Sequence, residues 1–194
     1  MRNKIGRREK TMNIVNAAIK VFAEKGFDAA SMDEVAKACG VSKGTLFLYF
    51  KNKDELIQSV ALLSAPYDVI NDALKRDYNN ARELLMYFGM RFMEKYSNED
   101  LRSLLMLTMA YKDRYERVKE RLRETCMSKM DEMFKRIETL TGRPMPVSLK
   151  KAFFGALMCY AIWWDENEVE PRKFVEELVD GLLSATNSTT RNIS

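Results

Sequence analysis

Two helix starts and a glycine corner fall within residues 31–50, SMDEVAKACGVSKGTLFLYF, and that spacing restricts the fold more than any other feature of the chain. Ser31 followed by Met-Asp-Glu34 has the capping-box order: the serine hydroxyl accepts from a first-turn amide and the glutamate reaches back. Gly40 can take the left-handed conformation that ends a helix, and Ser42 is a good N-cap for the next one. Two short helices, over 32–39 and 43–50, joined by such a turn form a helix-turn-helix.

Helical signals continue on both sides. Ile14, Ala17, Ala18, Val21 and Phe22 recur at helical spacing, predicting a helix from about Lys10 to Lys25 that stops at Gly26. Asn52-Lys-Asp-Glu55 caps a fourth helix, whose apolar positions Leu56, Val60, Leu63, Tyr67, Ile70 and Leu74 run across Pro66, so it should be long and kinked there. Leu84 to Phe92 and Leu101 to Tyr111 mark two more. Leu122, Cys126, Met130, Met133, Ile137 and Leu140 form a long amphipathic stripe, Gly142 to Pro146 breaks the chain, and helices over 148–165 and 171–184 follow. Strand-like alternation is hard to find, and only four Pro and eight Gly interrupt 194 residues. The prediction is all-α, about nine helices: an N-terminal helix-turn-helix domain over 1–53, joined through the long fourth helix to a helical domain over 54–186, then a polar flexible tail at 187–194.

Charge separates the two parts. Residues 1–53 hold eleven Lys or Arg against five Asp or Glu; the remainder holds twenty-one against twenty-three. A basic N-terminal quarter followed by a near-neutral body suits a polyanion-facing module attached to something else. The chain has no His, which excludes His-based metal sites, Ser-His-Asp triads and Cys-His dyads, and it shows no paired-carboxylate or Gly-rich phosphate motif. We expect no enzyme, no metal and no cofactor. Cys39, Cys126 and Cys159 are widely separated within helical patterns and read as reduced small hydrophobes of a cytoplasmic protein. The basic start MRNKIGRREK lacks the apolar stretch of a signal peptide, and the longest apolar run, Ala152 to Trp164, is shorter than the roughly 20 residues a membrane span needs.

On a helical wheel, Leu46, Phe47 and Phe50 fall on one side with Val41, to pack inward; Gly44, Thr45 and Leu48 fall opposite, with Tyr49 on their flank. A recognition helix needs a small outward face near its N-terminus to enter a major groove, and Ser42, Gly44 and Thr45 provide it. Lys43, Lys51 and Lys53 are placed to neutralise phosphates, and the amides opening the fourth helix offer another phosphate site. The basic arm of Arg2, Lys4, Arg7, Arg8 and Lys10 is expected to reach along the DNA backbone or into a minor groove.

The segment IVNAAIKVFAEKGFDAASMDEVAKACGVSKGTLFLYFKNKDELI resembles the DNA-binding domain of the TetR family of bacterial repressors, over roughly a quarter of the chain. The resemblance implies that Lys43, Gly44, Thr45, Leu48 and Tyr49 belong to the recognition helix and that Tyr49 and Lys53 contact phosphates. Leu48 stands where the family often has a polar residue or His. For the rest, the resemblance implies a helical ligand-binding domain whose two C-terminal helices form a dimer bundle. Independently, Ala152 to Trp164 is apolar almost all round, which is hard to bury inside one small bundle.

The expected function is a ligand-responsive repressor: a homodimer on a palindromic double-stranded DNA operator, released when a small lipophilic or aromatic effector moves the fourth helix as a lever. Tyr87, Met90, Met109, Met130, Phe134, Phe154, Met158 and Trp163 are the candidate effector contacts, as flexible sulfur and aromatic side chains suit an adaptable apolar pocket. Asp113, Glu116 or Asp131 would supply counter-charge to a cationic effector. The alternative is a non-specific nucleoid-type DNA binder without an effector.

Overall fold

The computed structural model describes residues 2–164 and 168–189, with side chains from Gly6 to Thr186. Every regular element among them is helical: α1 (Arg2–Ala29), α2 (Met32–Cys39), α3 (Lys43–Tyr49), α4 (Lys53–Ser64), α5 (Tyr67–Leu74), α6 (Ala81–Tyr96), α7 (Glu99–Tyr111), α8 (Glu116–Leu122), a π-helical turn (Arg123–Met127), α9 (Ser128–Thr141), α10 (Val147–Trp163) and α11 (Pro171–Thr189). They form two compact units. One contains α1 to α4 with α7 and α8; the other contains α5, α6, the π-helical turn and α9 to α11.

In the first unit the apolar stripe of α1, with Ile14, Val15, Ala18, Ile19 and Phe22 all buried, packs against α2, α4 and α7. Gly26 interrupts α1 with φ 79° and ψ 168°, a conformation open to glycine, and this redirects the last turn so that Phe27 meets Phe22 edge-on at 5.4 Å. The unit runs past residue 53. Leu56, Ile57, Val60 and Ala61 of α4 are completely buried, and α4 packs on α1, α7 and α8.

The stretch predicted as one kinked helix is divided at Pro66. Proline lacks the amide a continuing helix needs and pushes its predecessor out of helical space. Ala65 is accordingly extended (φ −71°, ψ 156°), α4 ends at Ser64, and the two compact units part here. A single rigid lever from residue 53 to residue 74 is therefore not what this chain builds. The stripe predicted from Leu122 to Leu140 is continuous in pattern but begins earlier, with α8, and passes through the π-helical turn that contains Cys126. Residues 187–189 of the predicted tail continue α11, and 190–194 lie outside the described residues.

The second unit is organised around α6, with α5, α9, α10 and α11 packed on it. Phe88 and Phe92 of α6, Phe134 of α9 and Phe153 of α10 are buried in its interior, with ring centres 6.1 Å apart for Phe88 and Phe153 and 6.4 Å for Phe134 and Phe153. Helices α6 and α11 approach closely at Gly89, where a Cβ would lie 2.5 Å from Val175 Cγ1.

Candidate nucleic-acid interface

The predicted corner forms as the sequence dictates. Ser31 Oγ accepts from the Glu34 amide at 3.2 Å, and the Glu34 carboxylate accepts from the Ser31 amide at 2.8 Å, which starts α2. Gly40 sits at φ 70° and ψ 28°; its amide reaches the Lys37 carbonyl at 3.2 Å while the Val41 amide reaches that of Ala36 at 3.0 Å, closing the helix. Ser42 then caps α3, accepting from the Thr45 amide at 3.1 Å.

Lys25 donates to the Glu34 carboxylate at 2.5 Å. With that hydrogen bond first, and the Ser31 amide and hydroxyl after it, the Glu34 carboxyl is held down to about 2, against an ordinary 4.5. A carboxyl whose pKa is lowered by folding stabilises the fold fully above the unfolded value and loses that contribution as the pH falls through the folded one. The acid limb of stability for the first unit should therefore steepen between pH 4.5 and about 2. Glu34→Gln is expected to flatten that limb, as read by thermal melts at a series of acid pH values; parallel acid limbs for both proteins would contradict the assignment.

Helix α3 is anchored by one side chain and presents the others. Leu46 is fully buried and Phe50, just past the helix, nearly so, whereas Leu48 is 76 % exposed. Ser42, Lys43 and Gly44 are exposed, and Thr45 and Tyr49 are half-buried at the flanks. Phe47 departs from its predicted packing role and is 40 % exposed, because the narrow buried face of a seven-residue helix is filled by Leu46. The outward face thus carries two large apolar side chains, Phe47 and Leu48. The wheel identified one of them.

Several predicted phosphate contacts have partners inside the protein. Lys43 Nζ lies 2.9 Å from the Asp33 carboxylate, and Lys53 Nζ donates to the Asp28 carbonyl at 2.8 Å. At the start of α4, the Glu55 amide is taken by Asn52 Oδ1 at 2.9 Å, and the Lys51 amide by the Glu55 carboxylate at 2.8 Å. Of the amides expected to hold a phosphate there, that of Glu55 already faces an acceptor. Lys51 is exposed.

The predicted arm is helical. Residues 2–9, expected to precede the first helix, are its opening turns, which places Arg7 and Lys10 on a helix beside α3. Gly6, Arg7, Lys10, Leu48 and Tyr49 line a shallow surface depression between α1 and α3, and the Arg7 guanidinium lies 6.0 Å from the Tyr49 ring centre. The alternation of apolar and charged residues that signals a helix begins only near Lys10, so these turns had no periodic signature.

A second polar group missed by the sequence reading joins α1 to α7 and to the connection that follows it, within the same unit. The Asp28 carboxylate accepts from Tyr111 at 3.1 Å and Arg114 at 2.6 Å, and Phe27 packs edge-on against Tyr111 and Tyr115. Ser64 of α4 and Thr108 of α7, both buried, share a hydrogen bond of 3.2 Å.

The candidate effector residues scatter. Met130 and Phe134 are buried in the second unit, where Met90, Phe154 and Met158 are partly buried. Tyr87 donates a short hydrogen bond to Asp72, under the Arg76 guanidinium 4.4 Å above its ring. Met109 belongs to α7 in the first unit, and Trp163 is 79 % exposed on α10. Of the candidate counter-charges, Asp113 pairs with Lys112 and Lys119 at 2.8 and 3.1 Å, and Glu116 lies 4.0 Å from Lys119. Asp131 borders a shallow surface depression with Arg123 and Lys135. Two buried polar groups of this unit had no sequence signal. The Lys95 side chain, 8 % exposed, lies beside Asp68 and its pKa is lowered by burial. The Tyr78 hydroxyl is buried without a hydrogen-bond partner among the described residues, and desolvation pushes its pKa up to about 12. Among the described residues no group of three metal-binding side chains occurs, and no helix is long and apolar enough to cross a membrane.

Residues 14–60 match the model of the tetR family, bacterial regulatory proteins. Over 54 residues the chain is 43 % identical to the fatty acid metabolism regulator protein of Bacillus subtilis (strain 168), covering 28 % of each chain. Over 49 residues it is 47 % identical to the HTH-type transcriptional regulator UidR of Escherichia coli (strain K12), covering 25 % of each. The match thus spans less than a third of either curated relative. Solved structures extend the likeness to nearly the whole fold. A TetR family transcription regulator from Marinobacter aquaeolei VT8 superposes with a TM-score of 0.73 at 19 % identity, covering 95 % of this chain and 98 % of that one. The transcriptional regulator FadR from Bacillus subtilis in complex with stearoyl-CoA gives 0.66 at 19 %, covering 89 % and 97 %. At such identities the shared property is the fold. Residues 14–60, within that all-helical fold, thus form a helix-turn-helix domain of the tetR family of bacterial regulatory proteins.

Proposed function

We propose that the protein is a transcriptional regulator that binds a palindromic DNA operator as a homodimer and acts as a repressor in the cytoplasm. The observation that carries this reading is the outward face of α3: Ser42, Lys43, Gly44 and Leu48 are exposed and Thr45 stands beside them, on a helix held by the buried Leu46. Small residues there let the helix backbone approach base edges. The exposed Leu48 cannot read a hydrogen-bond pattern, but it can pack on a thymine methyl.

Dimerisation is supported by α10. Ala152, Gly155, Cys159, Ile162 and Trp163 are exposed along one side, while Phe153, Leu157, Tyr160 and Ala161 are buried on the other. A second copy of the same helix fits such a stripe, because small residues permit close crossing and Trp163 supplies a large apolar contact. A two-fold dimer also presents two recognition helices to a palindrome.

The proposed effector is a small lipophilic or aromatic molecule bound in the second unit. Support comes from the aromatic interior around Phe88, Phe134 and Phe153 and from the relative solved with stearoyl-CoA. With α4 ending at Ser64, the lever reduces to a shift of α4 with α7 and α8, the elements that pack on it. The test titrates stearoyl-CoA and shorter acyl thioesters into the protein on a duplex selected from a random pool. Release of DNA by a lipophilic ligand is the expected result; unchanged operator affinity for every ligand that binds would defeat the effector reading and leave DNA binding standing.

A further inference from the structure

We propose that the connection between α5 and α6 holds the anionic head group of the effector, a carboxylate or a phosphate, with the Arg76 guanidinium and the Tyr78 hydroxyl as its donors. This rests on the effector reading above and makes the lipophilic ligand an amphiphile with an acidic end. Neither donor has an acceptor of its own. Arg76 is exposed, and its guanidinium has neither an ion pair nor a hydrogen bond among the described residues. The Tyr78 hydroxyl is buried and has no partner there either. A buried hydroxyl left unpaired destabilises a fold, so its presence calls for an acceptor from outside the chain.

Neighbouring side chains hold these donors in place. Arg76 lies 4.4 Å from the centre of the Tyr87 ring, which is itself fixed by the hydrogen bond its hydroxyl donates to Asp72. A stacked guanidinium keeps its planar set of N–H groups directed outward at its edge, the geometry that meets a carboxylate or phosphate through two parallel hydrogen bonds. The Tyr78 ring stands 6.1 Å from that of Tyr87, so both donors flank the same pair of rings. Asp72, the acid facing this group, is matched by Tyr87 and by Arg91 at 3.9 Å. Desolvation raises the Tyr78 pKa to about 12, and the hydroxyl therefore stays a donor across the physiological range.

Arg136 of α9 covers Tyr78, its guanidinium 5.3 Å from the ring centre. It donates to the Leu74 carbonyl at 3.0 Å and, more loosely, to the Asp77 carboxylate at 3.4 Å. The Asp77 side chain is fully exposed, and a surface pair of this kind contributes little. An entering anion takes the place of Asp77, adds Arg136 as a second cation and reaches the hydroxyl beneath. The same helices supply the apolar end: Phe88 follows Tyr87 on α6, and Phe134 lies two residues before Arg136 on α9, both buried in the interior.

Isothermal titration calorimetry tests this with decanoate, decyl phosphate and uncharged decanol, and with 2-naphthoate and 2-naphthol as the aromatic counterparts. The proteins are the full chain and its Arg76→Ala, Arg76→Lys and Tyr78→Phe variants. At least one anion should bind about tenfold or more tighter than its uncharged counterpart, and the tightest names the head group. Arg76→Ala should abolish that preference while the alcohols bind as before, and Arg76→Lys should restore part of it. Tyr78→Phe should weaken the anions alone, and melting curves of the free protein should show it no less stable than the unmutated chain, because the hydroxyl it loses has no partner. Equal affinity for charged and uncharged ligands would overturn the head-group site and leave a lipophilic effector standing. So would an anion preference unchanged by Arg76→Ala, or a Tyr78→Phe chain that melts lower and keeps full anion affinity, the mark of a hydroxyl serving only the fold. Binding of none of these ligands would overturn both the site and the effector reading.

Discussion

Trp163→Glu is expected to convert the protein to a monomer and to weaken its binding to a palindromic duplex by about a thousandfold, within the hundredfold to ten-thousandfold gain typical of linking two sites. Trp163 is 79 % exposed in the protomer, so the change removes little packing within one chain. Across a two-fold axis, however, two carboxylates would replace two large apolar rings in a region crossed by the small residues Gly155 and Cys159. Burying an unpaired charge costs far more than removing the ring alone. Sedimentation or light scattering reads the oligomeric state, and anisotropy on the same sample reads the DNA. A variant that stays dimeric with full affinity would show that this face of α10 is not the dimer contact.

The second large effect separates two leucines that stand two residues apart. Leu46 is completely buried, the one side chain of α3 that is, and Leu48 is 76 % exposed. Leu46→Ala leaves a cavity in the core of the first unit and should cost about 2–5 kcal/mol, a large share of the ~5–15 kcal/mol that stabilises a typical domain. DNA binding should fall together with the melting temperature. Leu48→Ala should move stability by no more than about 0.5 kcal/mol, as surface changes usually do. Its effect should appear in binding alone, strongest on duplexes with thymine at the facing position. Denaturant melts and binding on paired duplexes distinguish the two. Equal losses of stability for both variants would contradict the division of α3 into an anchoring and a reading face.

The parts of this fold legible in the sequence are those fixed by local chemistry. Ser31 with Glu34, Gly40 at positive φ, Ser42 and Asn52 each cap or close a helix within a few residues of themselves, so a short window determines the outcome. The boundary at Pro66 was visible as well, but not its severity, because whether proline bends or ends a helix depends on what packs on either side. Here α4 is buried against α1, α7 and α8, while α5 packs on α6 and α9.

Side-chain pairing was the least legible. The intramolecular partners of Lys43 and Lys53 were not legible, because a charge in a sequence carries no record of its partners. Asp28 gathers Tyr111 and Arg114 from more than 80 positions along the chain, a contact that no local pattern announces. The helical state of residues 2–9 escaped for a different reason: dense positive charge hides the apolar period by which helices are recognised.

Sequence-specific binding by a two-fold dimer through α3 is the property on which the proposed regulation depends. Its most direct measurement compares affinity for a palindromic duplex selected from a random pool with affinity for a scrambled duplex of the same composition, in the same near-physiological salt. A preference of about a thousandfold or more for the selected duplex is expected, with two protomers bound per site. Equal affinity for both duplexes, governed by salt alone, would contradict it and establish a non-specific DNA binder instead.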